Sequence, residues 1–116
     1  FYSVVMDEQH TLTAMRYVER NPVRSGITKY PQDWPWSSAQ GNLQHQSDPL
    51  IPGRPALSVV PNWSDYLFVP ETDDDLKSLR KVTGTGRPCG DDGFIGMLER
   101  ATGRKVRKRK AGRIKK

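Results

Sequence analysis

Apolar residues along the chain fall into short groups parted by turn formers, and three of those groups keep helical spacing. The first predicts a helix from Asp7 to Asn21, with Asp7 as its cap and Glu8 in its first turn. At 100° per residue, Leu12, Ala14, Met15 and Val18 share one arc, the predicted buried stripe. His10, Tyr17 and Asn21 fall at its margin, and Arg16 and Arg20 lie beyond the tyrosine, toward solvent. The second helix starts after Thr72, presents Leu76, Leu79 and Val82, and ends in Gly84-Thr85-Gly86-Arg87-Pro88. The third spans about Asp91 to Thr102 with Phe94, Ile95, Leu98 and Ala101 inward, and Gly103 stops it. Ahead of all three, Phe1-Tyr2-Ser3-Val4-Val5-Met6 is rich in strand formers.

The breaks divide the chain further. Pro22 has no N–H to donate and disfavours the α region at Asn21, so the first helix is expected to end or kink there. Asn21 would then cap a new turn, with Pro22 first and Gly26 closing it, and amides at its start could hold an anion. Trp34-Pro35-Trp36 is expected to anchor a small core, base stacking being the alternative, and Ser37-Ser38 opens a short helix to about Leu43. Gln44 to Pro61 carries four prolines and predicts a linker or irregular loop. Asn62 to Phe68 is a short aromatic turn or helix. The last two helices could pair as a helix-turn-helix, although their connection is long. The expected organisation is therefore 1–43, a linker over 44–61, a helical region over 62–103, and a tail over 104–116.

Charge adds a feature that hydrophobicity does not show. The 116 residues carry a net charge of +6. Residues 1–102 alone hold 10 Lys/Arg against 13 Asp/Glu, whereas residues 103–116 hold 9 Lys/Arg and no acid. The basicity is thus a tail, predicted to be disordered alone and to attract nucleic acid by counterion release. Its cations are Arg104, Lys105, Arg107, Lys108, Arg109 and Lys110, with Arg113, Lys115 and Lys116 beyond. Cys89 is the lone cysteine, which excludes an internal disulfide and fits a reducing compartment. No apolar run approaches the roughly 20 residues of a membrane span, and no signal peptide is evident. The chain opens on Phe1 rather than Met and is expected to be part of something longer.

Candidate chemistry concentrates at Arg16-Tyr17-Val18-Glu19-Arg20-Asn21-Pro22-Val23-Arg24. A tyrosine can act as a covalent nucleophile, and the guanidinium fork of an arginine matches phosphate oxygens. Pattern alone favours Tyr17 as an amphipathic residue with its ring on the core and its hydroxyl wet. Asp73, Asp74 and Asp75 suit a helix N-terminus better than a metal site.

The run from Leu12 to Gly26, together with Asp33-Trp34-Pro35-Trp36-Ser37-Ser38, resembles the REP-associated tyrosine transposases. These are single-tyrosine relatives of the HUH endonucleases. Trp63-Ser64-Asp65-Tyr66-Leu67, Leu76-Lys77-Ser78-Leu79-Arg80 and Gly86-Arg87-Pro88-Cys89-Gly90 continue the likeness. The resemblance implies an α+β, ferredoxin-like catalytic domain, of which this chain would hold one N-terminal strand and the tyrosine helix, the remainder being short helices and the basic tail. It implies that Tyr17 attacks a phosphodiester of single-stranded or hairpin DNA to give a 5′-phosphotyrosine, which a 3′-hydroxyl later resolves. Arg16, Arg20 and Arg24 become candidate phosphate contacts, and the tail a DNA anchor. In the family a His-x-His pair holds a divalent metal, Mg or Mn. The two histidines here, His10 and His45, do not form that pair, so the chain alone is expected to bind no metal. The implied setting is the bacterial cytoplasm at the nucleoid, with DNA as partner, no membrane and a possible homodimer. The rivals are a non-catalytic DNA- or RNA-binding remnant or domesticated module, and a basic-tailed structural protein.

Overall fold

The computed structural model describes residues 4–110 and 112. Helix α1 spans Glu8–Arg24 and is followed by a 3-10 turn at Pro31–Asp33. Four further helices come next: α2 (Ala39–Gln44), α3 (Pro55–Val59), α4 (Trp63–Phe68) and α5 (Asp73–Thr85). Helix α6 (Asp92–Thr102) is the last.

The α+β, ferredoxin-like class is not what these residues form. The expected N-terminal strand is reduced to one parallel bridge between Met6 and Cys89, and no sheet forms among the described residues. Two hydrogen bonds make the bridge, Cys89 N to Val5 O at 2.8 Å and Asp7 N to Cys89 O at 2.9 Å. A strand needs a second strand-forming run to pair with, and the described sequence beyond Met6 offers helical spacing instead. Phe1, Tyr2 and Ser3, the rest of the expected strand, lie outside the described residues.

Helix ends follow side-chain chemistry. Asp7, Thr72 and Asp91 cap α1, α5 and α6, each accepting from an amide three residues on, and Thr72 with Asp75 completes a capping box. Gly86 and Gly103 close α5 and α6 in the left-handed region, where a Cβ would be strained. The break expected at Asn21-Pro22 does not occur, because α1 runs through the proline to Arg24. Pro22 sits in the last turn, so its missing N–H orphans only the Val18 carbonyl. Val18 itself is 65% exposed.

The core is small. Leu12, Ala39, Ala56, Trp63 and Leu67 are buried together, with Met15, Leu43, Leu57, Val60 and Tyr66 packed around them. Trp63 is the buried tryptophan; Trp34 is half-buried, and Trp36 is 84% exposed, so the expected Trp-Pro-Trp anchor is not the core. The stretch expected to be a linker contains α3, which supplies Ala56 to that core. Accessible surface is 8805 Å², against about 6,400 Å² for a compact monomer of this mass. Much of the chain is therefore draped on its core instead of enclosing it.

Candidate functional site

The face that α1 turns inward is not the apolar arc. Leu12, Thr13, Arg16, Glu19 and Pro22 are its buried residues, a rotation of roughly a quarter turn from the predicted stripe. Buried polar groups need partners. Here other elements supply them to Glu19 and to Arg16 Nη2, Thr13 turns back to the Gln9 carbonyl, and Arg16 Nε is left without one among the described residues.

Glu19 is 1% exposed and sits at the centre. Its Oε1 accepts from Ser38 Oγ at 2.5 Å and Asn42 Nδ2 at 2.7 Å, and its Oε2 accepts from the Trp63 indole at 2.7 Å. Arg54 continues the network, giving Nη1 to Asn42 Oδ1 at 2.8 Å and Nε to the Gln46 carbonyl at 2.7 Å. Arg54 holds its own backbone in the left-handed region, and its guanidinium lies on Gly41, where any Cβ would collide with it. One carboxyl group thus ties α1 to the start of α2 and to α4.

The three arginines beside Tyr17 are engaged within the protein. Arg16, expected toward solvent, is buried; its Nη2 reaches Asp75 Oδ2 at 3.4 Å and its guanidinium lies 4.6 Å from the centre of the Tyr66 ring. Arg20, also expected outward, donates Nη1 to the Leu67 carbonyl at 2.9 Å and Nε to Glu71 Oε2 at 3.3 Å. Arg24 donates to Asn21 Oδ1 at 2.9 Å and lies 3.8 Å from Glu71 Oε1. The Glu71 side chain is 6% exposed, so it is a buried anion between two cations.

Tyr17 projects from the other side of α1. It is half-buried and lines an open cleft of about 490 Å³ with Met6, Ala14, Val18, Leu79 and Arg80. The Arg24 guanidinium lies over its ring, 4.0 Å from the centre, which is cation–π distance. Of the predicted arginine set, Arg24 alone touches Tyr17 among the described contacts.

The tail is held as well. Residues 104–110 have no regular structure, yet Glu99 Oε1 accepts the amides of Val106 at 2.9 Å and Arg107 at 3.2 Å. Arg107 also donates Nη2 to the Asp92 carbonyl at 3.1 Å. The expectation of a wholly free tail therefore fails at its base. The Arg107 and Val106 amides, aided by the positive charge of Arg107, hold the Glu99 carboxyl below its ordinary range. Arg104, Lys105, Lys108, Arg109 and Lys110 are exposed around this clamp; Arg113, Lys115 and Lys116 lie outside the described residues.

At the start of α1, Asp7 accepts from the His10 amide at 2.9 Å, the His10 ring at 2.6 Å and the Asp91 amide at 3.1 Å. Burial alone would raise its carboxyl, but these donors bring it below its ordinary value. Cys89 nearby is buried, and burial together with Asp7 raises its thiol.

No three His, Cys, Asp or Glu side chains converge as a metal site among the described residues. His10 spends its ring on Asp7, and His45 closes α2 in the left-handed region, away from any such group. Among the described residues no helix is long and apolar enough to cross a membrane.

Sequence reasoning missed Glu19, Glu71, Arg54 and Glu99 as organisers. A helical-wheel signal existed for Glu19, which shares an arc with Leu12 and Arg16. The partners themselves lie 19 to 44 positions away and have no local signature. Comparison with known proteins finds no matching family model, no matching curated protein and no matching solved structure.

Proposed function

We propose that this chain carries the tyrosine of a single-strand DNA transferase, a transposase-type cleaving and rejoining activity. The observation that carries the reading is Tyr17 itself: a half-buried phenol on the rim of an open cleft, with a guanidinium on its ring. The supporting likeness lies in the Tyr17 to Gly26 run and in Trp34-Pro35-Trp36-Ser37-Ser38. In the chemistry proposed, Tyr17 Oη bonds to phosphorus as the bond from phosphorus to the 3′-oxygen breaks. The phenolic proton is lost to solvent and the leaving 3′-oxygen takes one up. The phosphotyrosine conserves the ester, so a 3′-hydroxyl can reverse the step without ATP. Arg24 is placed to offset charge developing near the phenol. The described residues do not fit a divalent metal, and no step here is routed through one.

The test is covalent trapping. The chain, alone and within its full reading frame, is incubated with single-stranded hairpin DNA and Mg²⁺ or Mn²⁺, then denatured and resolved by mass. A wild-type adduct that Tyr17→Phe abolishes is expected. An adduct that survives the substitution sinks the assignment.

A second reading, a non-catalytic nucleic-acid-binding module, draws on the exposed cations of residues 104–110. It predicts DNA binding that Tyr17→Phe leaves intact, with no adduct from either protein.

A further inference from the structure

A second cavity of about 400 Å³ lies between the first turn of α1, one face of α5 and the segment around Cys89. Four basic side chains from four places reach it: His10 on α1, Lys81 on α5, Arg87 in the following turn, and Lys108 from the tail. No aspartate or glutamate lines it. Among the described residues Lys81, Arg87 and Lys108 take part in no ion pair, unlike the arginines of α1. Ser78, one turn before Lys81, adds a hydroxyl to the wall. Asp74 and Asp75 lie past the rim formed by His10 and Ser78, in a separate, smaller hollow, and Asp75 already faces Arg16.

Three unneutralised cations converging on a cavity raise its potential far above that of an open surface. Its volume matches a small ligand group and not a duplex groove. The occupant is narrowed by what leaves the cavity. Lys108 belongs to a run holding 9 Lys/Arg and no acid, and Glu99 fixes the start of that run to α6. A polycation emerging from a cationic cavity matches a polyanion that enters it.

We infer that this cavity binds one phosphate group of a nucleic-acid strand, with Lys81, Arg87 and Lys108 as its ligands and the tail following the adjoining backbone. The inference rests on DNA as the partner in the preceding reading, and it adds a binding position separate from Tyr17.

The test is an amide titration of the whole ¹⁵N-labelled chain in chloride buffer. Inorganic phosphate is added first, and then a single-stranded oligonucleotide with either a 5′-hydroxyl or a 5′-phosphate. Saturable shifts at Lys81, Arg87 and Lys108 are expected from each ligand. Preference for the 5′-phosphorylated strand assigns a terminal phosphate, and equal affinity assigns an internal one. The pair Lys81→Ala and Arg87→Ala should weaken oligonucleotide binding roughly tenfold and reduce the log–log salt slope by about 0.7, the share of one phosphate on a single strand. The equal-charge control, Lys29→Ala with Lys77→Ala, should change affinity less than about twofold. Lys108→Ala, outside every helix, repeats the test without touching the fold.

Oligonucleotide binding that leaves the three amides unmoved, with the cavity and control pairs alike, overturns the inference and spares the DNA reading. Phosphate binding without oligonucleotide binding overturns the nucleic-acid assignment and counts against both.

Discussion

Arg16, Arg20 and Arg24 on one side, and Lys81, Arg87 and Lys108 on the other, make two sets of cations with opposite fates. The first set lies beside the candidate nucleophile and spends its charge inside the molecule, on Asp75, Glu71, the Leu67 carbonyl and two tyrosine rings. The second set is exposed, surrounds a cavity and has no acidic partner among the described residues. Residue type does not separate the sets, because both contain arginine. They are separated by acids supplied from a distance: α1 receives Glu71 and Asp75 from about 50 to 60 positions later. At the cavity the neighbouring acid, Asp7, is spent on His10 and the Asp91 amide, and it leaves Lys81, Arg87 and Lys108 without an ion pair among the described residues. A guanidinium one turn from a tyrosine is therefore not by itself a phosphate ligand.

The largest effect is expected at Glu19, the centre of the buried network. Glu19→Ala leaves the Ser38, Asn42 and Trp63 donors buried without an acceptor, at about 3–5 kcal/mol in total. Urea unfolding of the variant measures it, and a loss under about 1 kcal/mol would show the network to be incidental. Next comes a direct opposition of the two sets. Arg20→Ala strips the buried Glu71 and the Leu67 carbonyl of a partner and should cost about 2–3 kcal/mol, whereas Lys81→Ala should stay within about 0.5 kcal/mol. Equal losses in thermal melts would erase the contrast between the two sets.

A smaller effect depends on pH. The Glu99 carboxyl is lowered in the folded protein, so its grip on the tail is complete above the ordinary glutamate value of 4.5 and is lost as pH falls through the lowered value. The protection factors of the Val106 and Arg107 amides, exchange taken against the intrinsic rate at each pH, should be raised at neutral pH and fall on acidification past that point. Glu99→Gln should exchange faster at neutral pH and respond less to acid, and an unchanged profile would remove the clamp. The smallest effect on stability belongs to Tyr17→Phe, expected within about 0.5 kcal/mol by the same melts. A large loss would mean that the hydroxyl serves the fold, which would weaken its claim to chemistry.

Much of the local structure was legible in the sequence. Asp7, Thr72 and Asp91 announce helix starts, and Gly86 and Gly103 announce ends, because capping is decided within four residues. The face of α1 was not legible. Apolar periodicity selected Ala14, Met15 and Val18, but Glu19 and Arg16 are inside because Trp63, Asn42 and Asp75 meet them there. Pro22 misled for a related reason: a proline breaks a helix that must continue, and this one ends two residues later. The N-terminal strand expected from likeness also failed, since Val4–Met6 finds Cys89 and no second strand among the described residues. Of the candidate site, Tyr17 and the tail were visible as residue types in context. The cavity that gathers His10, Lys81, Arg87 and Lys108 was not, because its members span almost a hundred positions.

The bonds that Glu19 makes have one more consequence. They grip α1 on a single side, two residues past Tyr17 and roughly opposite it around the helix axis. A rod fastened along one edge cannot roll. Whatever projects from its opposite edge keeps a set bearing. The phenol is thereby aimed from behind, and among the described residues Arg24 is the one cation laid against its ring.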